Sequence, residues 1–483
     1  MSHLDIFIVV LYLAAMLAIG IISSRRHKTM EDYYVAGRNL GVLPIACLWV
    51  SSWIGGASVI GASSRAYDFG ISGVWYVATI AIGLVIFSLT SPPIIKRLGD
   101  KFNNLTYPDL IEERYGTGAR VLSTITTILA FIGHTAGQLI AAGSILHVVT
   151  GWDSGICFVV AAAITVLYTT IGGYFAVTNT DLLQVALLIV GVSFLGVIFS
   201  GKALDTAGLS LMSLPESYFD IGAWGWPTII AMSISIIFSF YTCMDSYTRC
   251  YAARDTKTAK NGALLALVGV LLIAGASTYL GMVAKVILPD LATSSDSAAS
   301  LILATFPRGV CGLVMAGILA AIMSTGDICI LTVSANVTQD IYHRFINPKA
   351  SDKRLLRIGM LVSLVVGILS TIFAWFMGDV MDTLLIAFTV NSAGLFLPTV
   401  CGFVWKKANA KAAVVSISAS LVVVLFWFIM GQLGVGGIFA VDPLWPGLIA
   451  SAVTFIPLCL FSKPTQGDIE RCEKFMAASA ENS

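Results

Sequence analysis

Ser324, Thr325 and Asp327 place two hydroxyls and a carboxyl group within four consecutive positions of an apolar stretch. Sodium, a hard cation like magnesium and calcium, prefers oxygen ligands such as carbonyls, hydroxyls and carboxylates. On a helix, Ala321 and Ser324 share a face and Thr325 lies beside it, so their oxygens could bind one ion. The hydroxyls could instead bond back to carbonyls of their own helix, which is common in membrane helices. The spacing alone leaves both interpretations open.

A second acid, Asp181, begins another apolar segment shortly after the glycine pair Gly172 and Gly173. The glycines indicate the end of one helix, and Asp181 the start of the next. An ionisable group at such a place is costly in lipid and by default indicates an ion or solute pathway. Asp181 could also serve only as the cap of the helix that it begins.

The composition predicts a membrane protein, since 57% of the 483 residues are hydrophobic and only 11% are charged. The net charge of +1 provides no basic excess for phosphate, so we expect no nucleic-acid partner. The nine cysteines form no Cys-x-x-Cys pair, and the five histidines show no metal-ligand spacing. Neither a disulfide framework nor a zinc site is indicated.

Thirteen segments are long and apolar enough to span a bilayer, which takes about 20 residues. Their approximate ranges are 4–22, 43–69, 73–91, 121–148, 154–172, 181–200, 226–248, 261–288, 308–340, 356–377, 380–404, 411–432 and 443–462. With the N-terminus outside, most of the 28 Lys and Arg fall in cytoplasmic segments, which the positive-inside rule favours. Basic residues follow the first segment rather than precede it, so we expect that segment to remain as a membrane helix. We therefore expect an external N-terminus and a cytoplasmic C-terminus.

The order of these segments predicts two five-helix repeats, the second inverted because the first repeat crosses the membrane an odd number of times. Such repeats hold ions and solute near the midplane, where the first helix of each repeat is discontinuous. The second and seventh segments carry small and polar residues at their centres, over 50–61 and 239–248, and so fit this role. Small residues can also indicate close helix packing. The predicted units are an N-terminal helix and cytoplasmic loop, a first repeat, an inverted second repeat, two peripheral helices and a cytoplasmic tail: 1–42, 43–200, 226–404, 411–462 and 463–483.

Several stretches resemble the sodium:solute symporter family, the group of the proline, glucose, sialic acid, pantothenate and choline carriers. They are Ala321–Thr325, Asn179–Gln184, Glu31–Arg38, and Trp405–Asn409 with Ala412 and Ala413. They recur in the right order and cover essentially the whole chain, although the family usually has Gly where Ala412 stands. The resemblance implies an all-α polytopic fold of the leucine-transporter type, with one helix before the two repeats and two after them.

The resemblance also implies a sodium site. It would use the carbonyls of Ser51 and Ile54 in the broken second helix, the carbonyl of Ala321, and the hydroxyls of Ser324 and Thr325. Sodium is the one cofactor expected.

A second ion or proton site is a further implication. Some members bind a second sodium through the acid that corresponds to Asp181 and hydroxyls of the ninth helix. This chain departs from that pattern, because Asp327 and Ile328 stand where the two-sodium type has serines. Asp181 and Asp327 could share a sodium, or one of them could carry a proton.

The solute is expected between the second, fourth, seventh and ninth helices. Side chains near the two helix breaks are the candidates: Trp53, Ser58, His134, Gln138, Tyr241, Asp245 and Tyr247. Residues 52–56 resemble high-affinity choline transporters, in which this tryptophan belongs to an aromatic cage, and Asp327 also matches that branch. An aromatic face with an acid suits a cationic amine or quaternary ammonium compound. However, Cys243 stands where those carriers have another cage tryptophan.

Other interpretations of these side chains remain open. Asp245 could pair with Arg249 one turn later, and Trp53 could serve only in packing. Arg65 in the outer part of the second helix could attract a carboxylate, so an amino acid, carboxylate or other small metabolite is the alternative solute.

We therefore expect a sodium-coupled symporter that imports a small organic solute by alternating access, a monomer in the bacterial inner membrane. The sequence has no nucleophile elbow, no His-Glu-x-x-His motif and no further cluster of acids, which argues against an enzyme. A passive channel or a transporter-like sensor is the alternative from another class, because the same inverted repeat could host either.

Overall fold

The computed structural model describes residues 2–23, 36–377 and 379–480. These residues are mostly helical, and their one β-type pairing is an isolated bridge between Leu40 and Ala253. The helices are α1 His3–Ser23, α2 Val42–Trp53, α3 Ala62–Phe69, α4 Trp75–Thr90, α5 Pro92–Phe102, α6 Tyr107–Tyr115, α7 Thr117–Thr150, α8 Ser154–Leu188, α9 Val197–Ala207, α10 Trp226–Ser239, α11 Met244–Ala252, α12 Thr256–Ile287, α13 Ser297–Thr305, α14 Val310–Ala335, α15 Asp352–Met377, α16 Val380–Val404, α17 Ala410–Gln432, α18 Leu444–Phe461 and α19 Gln466–Ala480. Wider π-type turns join some of them at Ala57–Gly61, Ile189–Gly196 and Asn336–Ile346.

Ten helical stretches of the described residues are long and apolar enough to cross a membrane. Three shorter apolar helices, His3–Met16, Val42–Trp53 and Ser154–Leu167, coincide with further predicted segments. The all-α polytopic fold is confirmed, whereas the total of thirteen spans and the bounds of the two repeats stay predictions. Residues 24–35, which include the first basic cluster and most of the Glu31–Arg38 motif, lie outside the described part.

The glycine pair in the middle of the chain does not end a helix. α8 continues from Ser154 to Leu188, through Gly172 and Gly173 and past Asp181. The fifth and sixth predicted segments are therefore two apolar parts of one helical run. Glycine weakens a helix without removing a backbone hydrogen bond, and a bilayer requires those bonds to be made. Asp181 consequently lies inside a helix, so the cap interpretation is wrong.

Both predicted discontinuities are present. The second segment is interrupted between α2 and α3, where Ile54 has φ −109° and ψ 87°. The seventh is interrupted between α10 and α11, where Cys243 is extended at φ −72° and ψ 131°. The small residues of the first break also permit close packing, since a Cβ on Gly56 would lie 2.4 Å from the Cβ of Ala141 in α7. Both interpretations of the small residues therefore hold.

Helix α14 lies at the centre of the bundle. In an apolar 18-residue part of Val310–Ile346, 94% of the residues are buried inside the protein, against 28% for the corresponding parts of Ala410–Gln432 and Leu444–Phe461. α17 and α18 are therefore peripheral and present most of their apolar surface outward. The C-terminal tail contains a helix, α19, whose Phe475 is buried.

Candidate functional site

The two hydroxyls of α14 meet the end of α2 at the helix break. Thr325 Oγ1 lies 2.6 Å from the carbonyl oxygen of Ser51, and Ser324 Oγ lies 3.4 Å from the same oxygen. Both hydroxyls also reach the carbonyl of Ala321, at 3.0 and 3.1 Å. They thus bond to their own helix and to the facing one, and four oxygens of the kind that sodium prefers lie together.

Ile54 lies at the break itself and is buried. It has left helical geometry, so its carbonyl does not continue the regular pattern of the preceding turn. The adjacent Gly55 has no room for a side chain, since a Cβ there would lie 2.6 Å from Gln138 Oε1 and 2.7 Å from Thr325 Oγ1. The Oε1 atom of Gln138 accepts a 2.7 Å bond from the Gly56 amide. The glycine pair therefore lets α7 and α14 approach the broken helix closely.

Asp181 contacts the broken helix beside these oxygens. Its Oδ2 accepts a 2.6 Å bond from the hydroxyl of Ser51, and its Oδ1 has no hydrogen-bond partner although the residue is fully buried. Ser51 therefore presents its carbonyl to Thr325 and its hydroxyl to Asp181.

Asp327 is also fully buried, but its carboxylate accepts a bond from the hydroxyl of Thr169 in α8. Asp181 of α8 is thus hydrogen-bonded to α2, whereas Asp327 of α14 is hydrogen-bonded to α8. A direct partnership of the two acids is not among the described contacts and stays a prediction.

A small cavity of about 30 Å³ lies beside the two helix breaks. Four of the predicted solute residues line it: Trp53, His134, Gln138 and Asp245. Thr325 also lines it, so the hydroxyl cluster borders the same space. Among the described lining residues, Asp245 alone carries a formal charge.

Aromatic rings cover Trp53. The ring of Phe240 stacks on it at a centroid distance of 3.7 Å and an angle of 4°, and Phe388 lies nearly parallel at 5.7 Å. His134 meets Phe388 edge-on at 4.4 Å. In this conformation the indole face is largely occupied by other rings, so it offers less room for a cation than an open cage does.

Three polar atoms of the cavity side chains have no hydrogen-bond partner: Trp53 Nε1, His134 Nε2 and Asp245 Oδ1. Their residues are only 5%, 6% and 5% exposed. Buried polar groups without partners are uncommon and costly, which indicates that something else satisfies them at some stage. The indole N–H can only donate and the carboxylate oxygen can accept, so a ligand with both kinds of group would fit.

The other three predicted solute residues lie outside this cavity. Ser58 is buried and donates to the carbonyl of Trp53 at 3.0 Å. Tyr241 contacts Thr90 at 2.8 Å and lines a separate apolar crevice. Tyr247 donates to the Tyr241 carbonyl at 2.6 Å and supports the second break from behind.

The two arginines considered as alternatives both have protein partners. Arg249 donates to the backbone carbonyl of Asp245 at 3.3 Å and forms no ion pair with its carboxylate. Arg65 lies 3.8 Å from Asp379 and 3.5 Å from Asp382, so two carboxylates of the chain already balance it.

Thr169, Phe240 and Phe388 belong to the site but were not predicted. Thr169 stands next to Thr170, and the sequence contains no sign of which hydroxyl faces Asp327. The two phenylalanines read as ordinary core residues, since apolar rings are common throughout such a chain.

Comparison with known proteins gives one family. The sequence model of the sodium:solute symporter family matches residues 33–419. The sodium/pantothenate symporter of Escherichia coli K12 is 25% identical over 466 residues, covering 92% of this chain and 94% of that protein. The sodium/proline symporter of the same organism is 25% identical over 97% of this chain and 95% of its own length.

Solved structures agree on the fold. A Na+-coupled sialic acid symporter, solved in a substrate-bound outward-open state, superimposes with a TM-score of 0.78 at 21% identity, over 96% of this chain and 99% of that one. The nucleobase-cation-symport-1 family transporter Mhp1 superimposes with a TM-score of 0.56 at 14% identity, over 92% of this chain and 98% of that one. These likenesses confirm the inverted-repeat architecture.

Proposed function

The chain belongs to the sodium:solute symporter family, and from that premise we propose that it imports a compact amine-bearing solute together with sodium. Sodium-coupled solute transport across a membrane follows from the family, and the chain is a transporter rather than an enzyme. The identity of the solute, the ion ligands and the direction of the termini are parts of the proposal. Import follows from an inward sodium gradient, and the distribution of basic residues favours an external N-terminus.

Sodium binds, in this proposal, where α14 meets the broken helix α2. The ligands are the carbonyls of Ser51, Ile54 and Ala321 and the hydroxyls of Ser324 and Thr325. The hydroxyl hydrogens that now point at carbonyls would turn away, so that oxygen lone pairs face the ion. An ion at this place joins α2 to α14 and stabilises one arrangement of the two helices, which couples ion binding to access.

Asp245 is the residue that favours an amine as the solute. It is the charged residue of the cavity, it is buried, and its Oδ1 has no partner. A protonated amine supplies both the opposite charge and the donor that this oxygen requires. A quaternary ammonium compound supplies only the charge, and the covered face of Trp53 makes a cation–π contact less favourable. We therefore place a primary or secondary amine ahead of a quaternary one.

A zwitterionic amino acid is the second candidate. The unpartnered Trp53 Nε1 can donate to a carboxylate, and His134 Nε2 can do so in one tautomer. The name of the sodium/proline symporter points to the same class of solute.

Uptake into proteoliposomes tests the proposal. We expect electrogenic accumulation driven by an inward sodium gradient, since each inward charge gains about 2.3 kcal/mol per 100 mV of membrane potential. Radiolabelled putrescine, choline, proline and a monocarboxylate distinguish the solute classes. Equilibration without accumulation would favour a channel, and binding without flux a sensor. Inhibition by a monocarboxylate but by no amine would contradict the assignment to Asp245.

The variant Asp245→Asn separates the role of the charge from that of shape. We expect it to lower the apparent affinity for an amine at least tenfold, since hydrogen bonds to charged groups are worth about 1.5–3 kcal/mol. Asp205→Asn is the matched control, because Asp205 is exposed at the end of α9 and lies outside the cavity lining. Equal effects of the two variants would remove Asp245 from the site.

Asp181 and Asp327 constitute the proposed second ion or proton site. The unpartnered Asp181 Oδ1, next to the Ser51 hydroxyl, supports a role for Asp181. The reversal potential of transport currents at several sodium and proton gradients gives the number of ions per cycle. One sodium, no proton and an unchanged ratio in Asp181→Asn would exclude a second ion there.

A further inference from the structure

Arg249 lies at the foot of the cavity, between the two broken helices, and is fully buried. Its guanidinium donates to the carbonyl of Leu48 at 3.3 Å and to the hydroxyl of Ser52, both in α2. It also donates to the carbonyl of Asp245 at 3.3 Å and to the hydroxyl of Thr248 at 2.8 Å, both in its own helix α11. One side chain thus joins the half-helices of both breaks.

No carboxylate that the structure describes forms an ion pair with Arg249. The charges of Asp181 and Asp245 act on it through space without direct contact. A buried cation whose ligands are neutral carbonyls and hydroxyls is costly in a membrane protein, so such a residue usually has a function. The planar fork of arginine suits simultaneous bonds to two elements, which the point charge of lysine cannot reproduce.

The turn of α2 that Arg249 holds is also the turn that carries the proposed sodium ligand. Leu48 and Ser52 bond to Arg249, whereas Ser51 between them presents its carbonyl to Thr325 and its hydroxyl to Asp181. Ser52 lines the cavity, and so does Asp245 in the first turn of α11. α2 and α11 therefore cannot separate below the cavity while the Arg249 bonds to α2 persist.

We propose that Arg249 is a positioning residue that keeps the cytoplasmic side of the cavity closed by joining α2 to α11. Solute release then requires the bonds to Leu48 and Ser52 to break, and loss of sodium from the neighbouring Ser51 carbonyl loosens the same turn of α2. The assignment of this side to the cytoplasm rests on the proposed function and its orientation.

The native cysteines Cys243 and Cys329, which line the cavity and are buried, report on this closure. The experiment exposes membrane vesicles of either orientation to a membrane-impermeant thiol reagent, without sodium or solute, and follows each cysteine by peptide mass spectrometry. We expect Arg249→Gln to raise the labelling rate of both cysteines roughly tenfold or more from the cytoplasmic side. Arg249→Lys should restore only part of the closure.

Three comparisons make the result specific. Arg65→Gln removes an arginine that pairs with Asp379 and Asp382, and it should leave cytoplasmic labelling unchanged. Cys401, which does not line the cavity, should react at the same rate in every variant. If Arg249→Gln does not fold, Ser52→Ala removes one partner and should raise labelling by a smaller factor, about threefold.

The proposal would be overturned if folded Arg249→Gln left the labelling of Cys243 and Cys329 unchanged. If Arg249→Gln does not fold, the same result in Ser52→Ala would overturn it. An equal rise at Cys401 would do the same, because it would indicate general loosening. A rise from the external side alone would also contradict it. The labelling experiment needs neither sodium nor solute, so it tests the role of Arg249 separately from the proposed function. Failure of the proposed function would appear instead as the absence of sodium-dependent uptake by the unaltered protein.

Discussion

Ser51 illustrates how single residues of the site combine several contacts. Its carbonyl accepts from Thr325 and its hydroxyl donates to Asp181, while its neighbour Ser52 accepts from Arg249. A change at one of these groups is therefore expected to reach the others, and their energies should not simply add. One turn of α2 therefore contacts the proposed sodium site, the buried acid Asp181 and the arginine proposed to close the cavity.

At this scale, replacing Ser324 and Thr325 together by alanine removes two of the proposed sodium ligands. We expect the sodium concentration for half-maximal uptake to rise at least tenfold, since each lost ligand costs on the order of 1 kcal/mol or more. Sodium titration of uptake in proteoliposomes measures the change. Ser334→Ala is the control, because that hydroxyl of the same helix donates to Gly359, at 2.7 Å. Unchanged sodium dependence in the double variant would refute the site.

At the scale of elements, the two interrupted helices create the site because their ends expose groups that a continuous helix would use internally. The site at the end of α2 depends on the close approach of α7 and α14 as well as on the backbone angles of the break. Gly55 and Gly56 lie directly against Gln138, Ala141 and Thr325, and any side chain would separate α2 from α7 and α14.

The variant Gly55→Ala tests this contact. A Cβ at this position would displace Gln138 and Thr325, with atoms now 2.6 and 2.7 Å from it, so we expect at least a tenfold loss of apparent sodium affinity in a folded protein. Gly275→Ala is the matched control, since that glycine of α12 has open space beside it. Wild-type sodium dependence in Gly55→Ala would show that the close approach is unimportant.

The C-terminal helix α19 is a second element with a testable role. Phe475 is 1% exposed and meets Phe403 at 5.8 Å, and Arg97 donates to the Ser479 carbonyl at 2.8 Å. We expect Phe475→Ala to destabilise the protein by about 3 kcal/mol. The melting temperature in detergent measures the effect, with the outward-facing Phe461→Ala as a control that should change little. Equal melting temperatures of both variants would mean that α19 does not contribute to stability.

At the scale of the whole molecule, an ion-pair cluster ties the ends of several helices together on one side of the bundle. Arg120 of α7 pairs with Asp109 at 2.7 Å, with Asp340 at 2.5 Å and with Glu112, and Arg344 lies 3.0 Å from Glu112. Networks of this kind contribute more than isolated surface pairs because the same charge serves several partners.

This cluster predicts an acid-sensitive stability. Burial raises the pKa of Glu112, but the bonds from Arg120 and Thr117 and the charges of Arg120 and Arg344 outweigh it, so that the pKa is lowered. A lowered folded-state pKa means stabilisation that is present above the unfolded value of about 4.3 and is lost as pH falls below it. We expect Glu112→Gln to lower the melting temperature at pH 7 and to reduce its dependence on pH below about 4. The exposed Glu216→Gln should behave as wild type, and an identical pH profile for Glu112→Gln would exclude this contribution.

Much of the fold could be predicted because a bilayer imposes strong periodic constraints on composition. The span 380–404 coincides with the observed α16, and both interruptions lie where small and polar residues replace the usual apolar ones. The predicted helix end at Gly172 was wrong, since glycine permits an interruption without requiring one. The burial of Phe475 in the predicted tail depends on a partner surface far away in sequence, which local patterns do not reveal.

By itself, the sequence determined that the chain spans a membrane and that Ala321, Ser324 and Thr325 present oxygens on adjoining faces of one helix, and it predicted that two of the helices are interrupted. Those properties follow from composition and from local periodicity. Only the tertiary structure decided that Thr325 meets Ser51, that Asp181 and Asp327 bond to different helices, and that four of seven predicted solute residues share a cavity. These contacts join segments far apart in the chain, and the rotation of each helix about its axis, which selects the facing side chains, is set by packing against its neighbours.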